Sequence, residues 1–178
     1  MTAKTTAVAS PNHNARPEGV PVSVIVIHAD ASATASASVR WIRDKVSKVS
    51  YHTLVDRDGS IYRFVEPVRR AWHCGVSEYA GVGDVNDYSL GLCLSNKNDG
   101  IEPYTELQYQ VGAAVAASWM REYPGITLER IVSHAEIALP KGRKSDPGPL
   151  FEWDKFRAYV QNTLDGITPA PDLTPDAE

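Results

Sequence analysis

The chain has 178 residues, of which 43% are hydrophobic, so it is long enough to bury the core of one domain. Its formal charge is -4, but four of its acids and none of its bases fall in residues 165–178. The rest of the chain carries as many acids as bases, which argues against a large basic surface and against nucleic acid as a partner.

The two ends of the chain differ in composition from its middle. Residues 1–20 lack the apolar run of a secretory signal, and no stretch reaches the roughly 20 apolar residues that span a membrane. We therefore expect an N-terminal arm over residues 1–20, one folded domain over 21–164 and an acidic, Pro-rich tail over 165–178. The expected protein is a monomer made in the cytoplasm, without a membrane partner. Its two cysteines exclude a disulfide-rich scaffold.

The first predicted strand is residues 23–28, which ends in Val-Ile-Val-Ile-His. An unbroken apolar run predicts burial on both faces and a central place in a sheet. After it, apolar residues recur at helical spacing among charged ones: Val39, Trp41, Ile42 and Val46. This spacing predicts an amphipathic helix of about ten residues, with Ser36 or Ser38 as its cap.

A hairpin is predicted around Asp58-Gly59, with strands over residues 51–56 and 61–65, because Asp-Gly between β-rich runs is typical of a tight turn. Residues 66–87 lack periodicity, which predicts a long loop that lines a site. Residues 89–95 alternate between leucines and small residues. A strand there has a leucine face and a small, polar face that suits the floor of a cleft.

Thr105 and Gln108 have the spacing of a capping box at the start of the longest predicted helix, which ends at Pro124-Gly125. A short strand then leads into His134, and residues 150–160 form a last helix. The order β-α-β-β-β-α-β-α predicts an α/β fold with a central mixed β-sheet flanked by α-helices.

The candidate metal ligands are His28 and His134, which close apolar runs, and Asp146, in the loop that follows. Two imidazoles and one carboxylate can hold a metal with one position open for water, the arrangement of catalytic zinc. Each histidine is also compatible with a hydrogen-bonded structural role, and the spacing does not identify the metal.

Lys144 lies two residues before Asp146, so in an extended loop both side chains point the same way. Lys144 then either forms a surface ion pair or stands beside the metal, where a cation stabilises a developing oxyanion. Tyr51 is either an ordinary core aromatic or a phenol near the metal that donates to an oxyanion. Its neighbour His52 is expected to be structural.

Trp72 and His73 lie in the predicted loop over residues 66–87, where an aromatic beside an imidazole suits contact with a sugar or peptide. Alternatively, His73 and Cys74 are metal ligands themselves. Adjacent side chains diverge, however, and no partner pair is evident.

Six motifs in a fixed order carry a family resemblance. They are residues 24–28, 50–62, 71–75, 86–92, 133–134 and 144–148. Together they resemble the zinc-dependent N-acetylmuramoyl-L-alanine amidases of the second amidase family, which are related to peptidoglycan recognition proteins and bacteriophage lysozyme-type amidases. Each motif is modest, but the ordered combination is specific, and the resemblance covers residues 20–160.

The resemblance implies that residues 21–164 are an amidase catalytic domain with Zn²⁺ at one end of its sheet. The implied ligands are His28, His134 and Asp146. The implied catalytic residues are Tyr51, near the metal, and Lys144, which assists the tetrahedral intermediate. Trp72 and His73 match a motif beside the substrate groove.

One departure concerns the strand over residues 89–95. Many bacterial and cytosolic members carry a glutamate where this chain has Cys93, and a cysteine there is similar to the phage and recognition-protein branch. Without that carboxylate, Tyr51 is expected to take more of the role of the base, and Cys93 is expected at the substrate groove.

The resemblance therefore favours a phage-type lysin that hydrolyses the amide between N-acetylmuramic acid and L-alanine in bacterial peptidoglycan, acting on the cell wall after release. Two alternatives stay open. One is a peptidoglycan-binding module without catalysis, and the other is a cytosolic amidase that recycles soluble muropeptides.

Overall fold

A mixed six-stranded sheet forms the centre of the structure, a computed structural model that describes residues 3–168. Its strands, numbered in chain order, are β1 (Thr5–Ala7), β3 (Val24–His28), β4 (Thr53–Val55), β5 (Ile61–Arg63), β9 (Ser89–Leu94) and β10 (Ile131–Ser133). Their order is β1-β5-β4-β9-β3-β10, and the β4–β5 pair is antiparallel while the others are parallel. The helices are α1 (Ala35–Arg43), α2 (Glu106–Glu122), α3 (His134–Ile137) and α4 (Trp153–Leu164). The predicted α/β fold is confirmed.

Strand β3 is fully buried along its whole length, as its Val/Ile run predicts. Ile25 and Ile27 face the larger core under α2 and α4, whereas Val24 and Val26 pack on the opposite side of the sheet. The strand is not the central one. It lies one place in from the edge, because the hairpin and β1 extend the sheet only on the far side of β9.

The hairpin and the alternating strand form as predicted. Strands β4 and β5 pair across a turn in which Gly59 has a φ of 82°, a conformation that favours glycine. The leucines of β9 enter the core with α2 and α4, and Cys93 faces the other side of the sheet. The predicted first hairpin strand is shorter than expected, so Tyr51 lies outside it.

Helix α2 begins with the predicted capping box, since the Thr105 side chain accepts from Gln108 N and the Gln108 side chain accepts from Thr105 N. It packs along α4, which begins at Trp153. A side chain at Gly112 would place its Cβ 3.4 Å from Phe156 Cε2, so the small residue allows the close approach of the two helices.

Helix α1 begins earlier than predicted, because Thr34, not Ser36 or Ser38, caps it. It ends at Arg43, so Val46 lies beyond it in a short 3-10 turn and is exposed. Trp41 is 58% exposed instead of packing into the core. The helix therefore presents an indole to solvent.

The first twenty residues, expected as an arm, contribute two short strands. Strand β1 pairs in parallel with β5, and β2 (His13–Ala15) pairs antiparallel with β6 (Arg69–Ala71). The Arg16 guanidinium then donates to the backbone carbonyls of four residues: Pro67, Asn86, Asp87 and Ser89. Of the predicted tail, residues 169–178 lie outside the described part of the chain.

The long segment over residues 66–87 is less irregular than predicted. It holds β6, the small hairpin of β7 (Glu78–Tyr79) and β8 (Val82–Gly83), and a 3-10 turn at Val85–Asp87. Cys74 and Cys93 are both free and buried. Within residues 3–168, no helix has the length and apolar character needed to cross a membrane.

Candidate metal centre and active-site cleft

The sheet brings the two candidate histidine ligands together. Strands β3 and β10 are parallel neighbours in which Ile27 pairs with Ser133, so the next residues, His28 and His134, emerge side by side at the same edge. Asp146 comes from the loop after α3, which is held back against that helix because Ala135 N donates to the Asp146 carbonyl at 2.9 Å.

The three ligand groups converge as predicted. His28 Nδ1 lies 3.2 Å from Asp146 Oδ2, and His134 Nδ1 lies 3.0 Å from the same oxygen. One ligand atom from each residue lies within 4.8 Å of the other two. All three residues are largely buried, so their nitrogen and oxygen atoms are shielded from bulk water.

The outer nitrogens of both imidazoles have partners. His134 Nε2 lies 3.1 Å from the Cys74 carbonyl, which only accepts, so this nitrogen carries the proton and Nδ1 keeps its lone pair. His28 Nε2 lies 3.0 Å from His73 Nδ1 and is assigned as its donor. Each histidine is thus in the tautomer that a ligand bound through Nδ1 requires, and the residues fit a metal ion.

The surroundings of His28 and Asp146 favour the protonation states that metal ligands need. Burial, reinforced by the nearby His134, lowers the pKa of His28 to about 4, so its imidazole is neutral at pH 7. Burial alone raises the pKa of Asp146, but the adjacent imidazoles of His134 and His28 outweigh burial and lower that pKa below its usual range. A neutral imidazole and an ionised carboxylate are the forms that bind a cation.

A cleft of about 370 Å³ opens over the ligands. Besides His134 and Asp146, the residues around it include Trp41, Tyr51, Trp72, Asn98, Arg143 and Lys144. Aromatic and cationic side chains thus surround a polar floor, which suits a substrate with both sugar and peptide parts.

Tyr51 lies directly beside the ligands. Its ring centroid is 5.0 Å from that of His28, and its hydroxyl is hydrogen-bonded to Cys93. Burial, with the nearby Cys93, raises the pKa of Tyr51, so the phenol keeps its proton and can donate a hydrogen bond. The expectation that Tyr51 takes more of the role of the base is therefore corrected, because a phenol that keeps its proton does not accept another.

Lys144 lines the cleft with an exposed side chain, and its charge contributes to the lowered pKa of His28. Asp146 has the two histidines as its ion-pair partners in the described part of the chain, so the alternative of a Lys144–Asp146 surface pair does not occur there. The ammonium is therefore available to a group bound in the cleft.

The predicted substrate contacts separate in the structure. Trp72 lines the cleft and donates from Nε1 to Asn14 Oδ1 at 2.6 Å. His73 also lines the cleft, but it is only 6% exposed and its nitrogens face His28 and Ser89, so most of its ring lies behind His28. Cys93 is fully buried beneath Tyr51 in an apolar cluster, so the expectation that it lies at the groove is corrected.

The alternative ligand pair, His73 and Cys74, is not formed. Cys74 is fully buried, and burial raises the pKa of its thiol, which disfavours the thiolate that a metal needs. It serves the site through its carbonyl instead. His52 is structural, as expected, since Nδ1 accepts from Gly91 N at 2.8 Å and Nε2 lies 3.1 Å from the Arg69 carbonyl.

The sequence interpretation missed three residues around the cleft. Trp41 was assigned to the core side of its helix, although it forms part of the cleft wall. Arg143 donates to the carbonyls of Cys74 and Val76 at 2.9 and 2.7 Å. The position of Arg143 directly before Lys144 is the sequence feature that could have indicated it. Asp30 accepts from Ser38, Ser95 and Asn96 and ties the end of β3 to α1 and β9.

Comparison with known proteins agrees with this geometry. The N-acetylmuramoyl-L-alanine amidase family matches residues 18–149. The 1,6-anhydro-N-acetylmuramyl-L-alanine amidase AmpD of Salmonella typhimurium (strain SL1344) is 35% identical over 170 residues, which cover 86% of this chain and 88% of that protein.

Solved structures agree as well. A crystal structure of AmpD has a TM-score of 0.72 at 34% identity, covering 90% of this chain and 96% of that one. The amidase AmiD of E. coli, in complex with the substrate anhydro-N-acetylmuramic acid-L-Ala-D-gamma-Glu-L-Lys, has a TM-score of 0.69 at 31% identity, covering 81% and 60%. A mutant endolysin from Bacillus subtilis has a TM-score of 0.65 at 23% identity, covering 89% of this chain and 99% of that one, which shows a shared fold alone. With the family matching most of the chain and the predicted ligands in place, the protein belongs to the N-acetylmuramoyl-L-alanine amidases.

Proposed function

We propose that this amidase holds one Zn²⁺ ion between His28 Nδ1, His134 Nδ1 and the Asp146 carboxylate. The convergence of these groups within 4.8 Å is the observation that carries the proposal. Two imidazoles and one carboxylate are a donor set of catalytic zinc sites, in which a fourth position stays open. The hydrogen bonds at both outer nitrogens support the same assignment.

Bound there, zinc supplies Lewis-acid polarisation of the scissile carbonyl and lowers the pKa of a water molecule towards about 7. The Lys144 ammonium stabilises the negative charge that develops on the carbonyl oxygen. The Tyr51 phenol, which keeps its proton, donates a hydrogen bond in the same region. Hydrolysis adds one water across the amide, so the lactyl group gains a carboxylate and L-alanine leaves with a free amine.

The proposed substrate is a soluble 1,6-anhydro-muropeptide, which is cut between N-acetylmuramic acid and L-alanine. Support comes from the name of the AmpD relative and from the anhydromuropeptide in the AmiD complex. Trp41 and Trp72 are proposed to contact the sugar and the peptide stem. Both line the cleft.

The expectations of a phage-type lysin and of action on the wall after release are not supported. AmpD, at 35% identity, is a much nearer relative than the Bacillus subtilis endolysin, at 23%. The expectation rested on Cys93, which is fully buried and so does not report on the size of the substrate. The recycling amidase, one of the two alternatives, fits better. The convergence of the three candidate ligands, with Lys144 at the same cleft, favours a catalytic protein over a non-catalytic module.

The test compares two substrates and two proteins. Purified protein and its His28→Ala variant are analysed for bound zinc and assayed on a soluble anhydro-muropeptide and on polymeric peptidoglycan. We expect about one zinc per chain in the parent, little in the variant, and faster release of L-alanine amines from the soluble substrate. Unchanged zinc in the His28→Ala protein would exclude the metal site. Faster cleavage of polymeric wall would exclude the recycling substrate while leaving the amidase assignment intact.

A further inference from the structure

The outer nitrogens of both candidate histidine ligands are hydrogen-bonded to one dipeptide, His73-Cys74. His28 Nε2 is hydrogen-bonded to the imidazole of His73 at 3.0 Å, and His134 Nε2 to the carbonyl of Cys74 at 3.1 Å. The histidines come from different strands, β3 and β10, but their orientation depends on this single piece of chain. A shift of His73 and Cys74 would therefore turn both rings together.

One buried side chain fixes the backbone of this dipeptide. Asn86 Oδ1 accepts from His73 N at 3.1 Å and from Cys74 N at 2.9 Å. Because both groups facing it are N–H donors, the atom is the oxygen of the carboxamide and not its nitrogen. Asn86 is only 6% exposed, and its own carbonyl accepts from Arg16 Nη1 at 3.0 Å. The backbone of Asn86 is thus anchored by Arg16 at the point from which its carboxamide reaches the dipeptide.

The His73 ring is confined by its surroundings as well. Ser89 Oγ lies 3.3 Å from His73 Nε2, and a Cβ on Gly91 would lie 2.7 Å from His73 Cγ. Only a residue without a side chain leaves room for the ring on that strand. Asn86 fixes the backbone, and Ser89 and Gly91 confine the ring. His73 Nδ1 is therefore held in the position where it accepts the hydrogen bond from His28 Nε2.

We propose that Asn86 is a positioning residue for the metal centre: its carboxamide holds His73 and Cys74 where they orient His28 and His134. This inference rests on the proposed zinc site, because orientation matters only if an ion is bound. Asn86 does not touch the ion or the substrate in this assignment. Its removal should weaken metal binding through the tautomer and direction of both imidazoles. Loss of such an outer partner typically costs about 10- to 100-fold in metal affinity.

The test measures zinc affinity by competition with a chromogenic chelator, independently of turnover. Asn86→Ala removes the acceptor, and Asn86→Asp keeps an oxygen in its place. Asn12→Ala is the matched control, because Asn12 is also buried and bonds several backbone carbonyls, among them those of Asp44 and Val49. We expect affinity to fall about 10- to 100-fold in Asn86→Ala, to recover in Asn86→Asp, and to stay unchanged in Asn12→Ala.

The absorption spectrum of the cobalt-substituted proteins provides a second readout, since its bands report ligand geometry. A changed spectrum in Asn86→Ala with a parent-like one in Asn86→Asp supports the proposal. Parent-like affinity in Asn86→Ala overturns it and leaves the zinc site standing. Absence of zinc binding in the parent overturns both.

A second pair of variants serves if Asn86→Ala does not fold. His73→Ala removes the acceptor of His28, whereas the carboxamide oxygen of His73→Asn can occupy the place of Nδ1. Weaker zinc binding in His73→Ala with recovery in His73→Asn supports the role of the dipeptide. Equal affinity in both variants and the parent overturns it.

Discussion

At the scale of single residues, the site combines a buried, neutral His28 with an exposed cation. His28 stays neutral because burial lowers its pKa to about 4, whereas Lys144 reaches the cleft from an exposed loop. The metal centre and the oxyanion donor therefore depend on different parts of the chain, and each can be removed without the other.

The substitution Lys144→Ala should separate them. We expect zinc content to be unchanged and kcat to fall about 100- to 1000-fold, because one donor to the developing oxyanion is lost. The measurement is turnover of a soluble muropeptide alongside metal analysis. Lys141→Ala is the control, since Lys141 lies in the same loop but bonds the Glu136 carbonyl outside the cleft. Equal turnover in both variants would remove Lys144 from the mechanism.

Sequence reasoning found the ligands but not the residues that orient them. His28, His134 and Asp146 stood out because strand ends and a Gly/Pro-bounded loop are recognisable patterns. The side chains of Asn86 and Arg143 bind backbone N–H and C=O groups of residues that are distant in the chain. Every residue carries such groups, so no local sequence pattern indicates these contacts.

At the scale of the elements, strand β9 joins the core to the site. Its leucines pack under α2 and α4, while Gly91 on its other face lies against His73. A change at Gly91 should therefore affect both stability and the metal centre.

The substitution Gly91→Ala tests this link. The added Cβ would lie 2.7 Å from His73 Cγ, so the ring must move. We expect a loss of about 1–3 kcal/mol in the free energy of unfolding, as for other overpacked sites. Gly83→Ala is the control, because the nearest atom to its Cβ would be 3.8 Å away. Thermal melts of both variants decide, and equal melting temperatures would contradict the close packing of His73 on β9.

The elements with a local cause were predictable, and the others were not. The capping box at Thr105 and the Asp58-Gly59 turn are short-range devices, and both form. Strands β1 and β2 have three residues each and no apolar alternation, so the local sequence does not indicate them. They form because β5 and β6, which are distant in the chain, offer edges to pair with. Tyr51 falls outside β4 for a related reason, since its side chain packs with His28 and Cys93.

At the scale of the whole molecule, a buried neutral histidine makes stability depend on pH. Burial, with the nearby Arg16 charge, lowers the pKa of His52 to about 3. In the unfolded chain His52 takes up a proton near pH 6.5, while the folded protein resists it down to about 3. Its contribution to stability is therefore complete above about pH 6.5 and is lost as the pH falls towards 3.

We expect the stability difference between the parent and His52→Asn to shrink by about 1.4 kcal/mol per pH unit below about pH 6.5. Asparagine keeps an acceptor for Gly91 N but does not titrate. Urea unfolding of both proteins from pH 8 to 4 measures the difference, and the carboxylates shared by the two proteins largely cancel. A difference that is constant with pH would show that folding does not lower the pKa of His52.

The two outer strands of the main sheet are short, and this bears on solubility. Strands β1 and β10 have three residues each, and the Ile131 carbonyl of β10 accepts from Arg157 on α4 at 3.2 Å. Each outer strand offers a foreign strand only three residues to pair with, and at β10 a guanidinium already binds one carbonyl. Edge-to-edge aggregation, the usual hazard of an open sheet, is thereby discouraged even in concentrated solution.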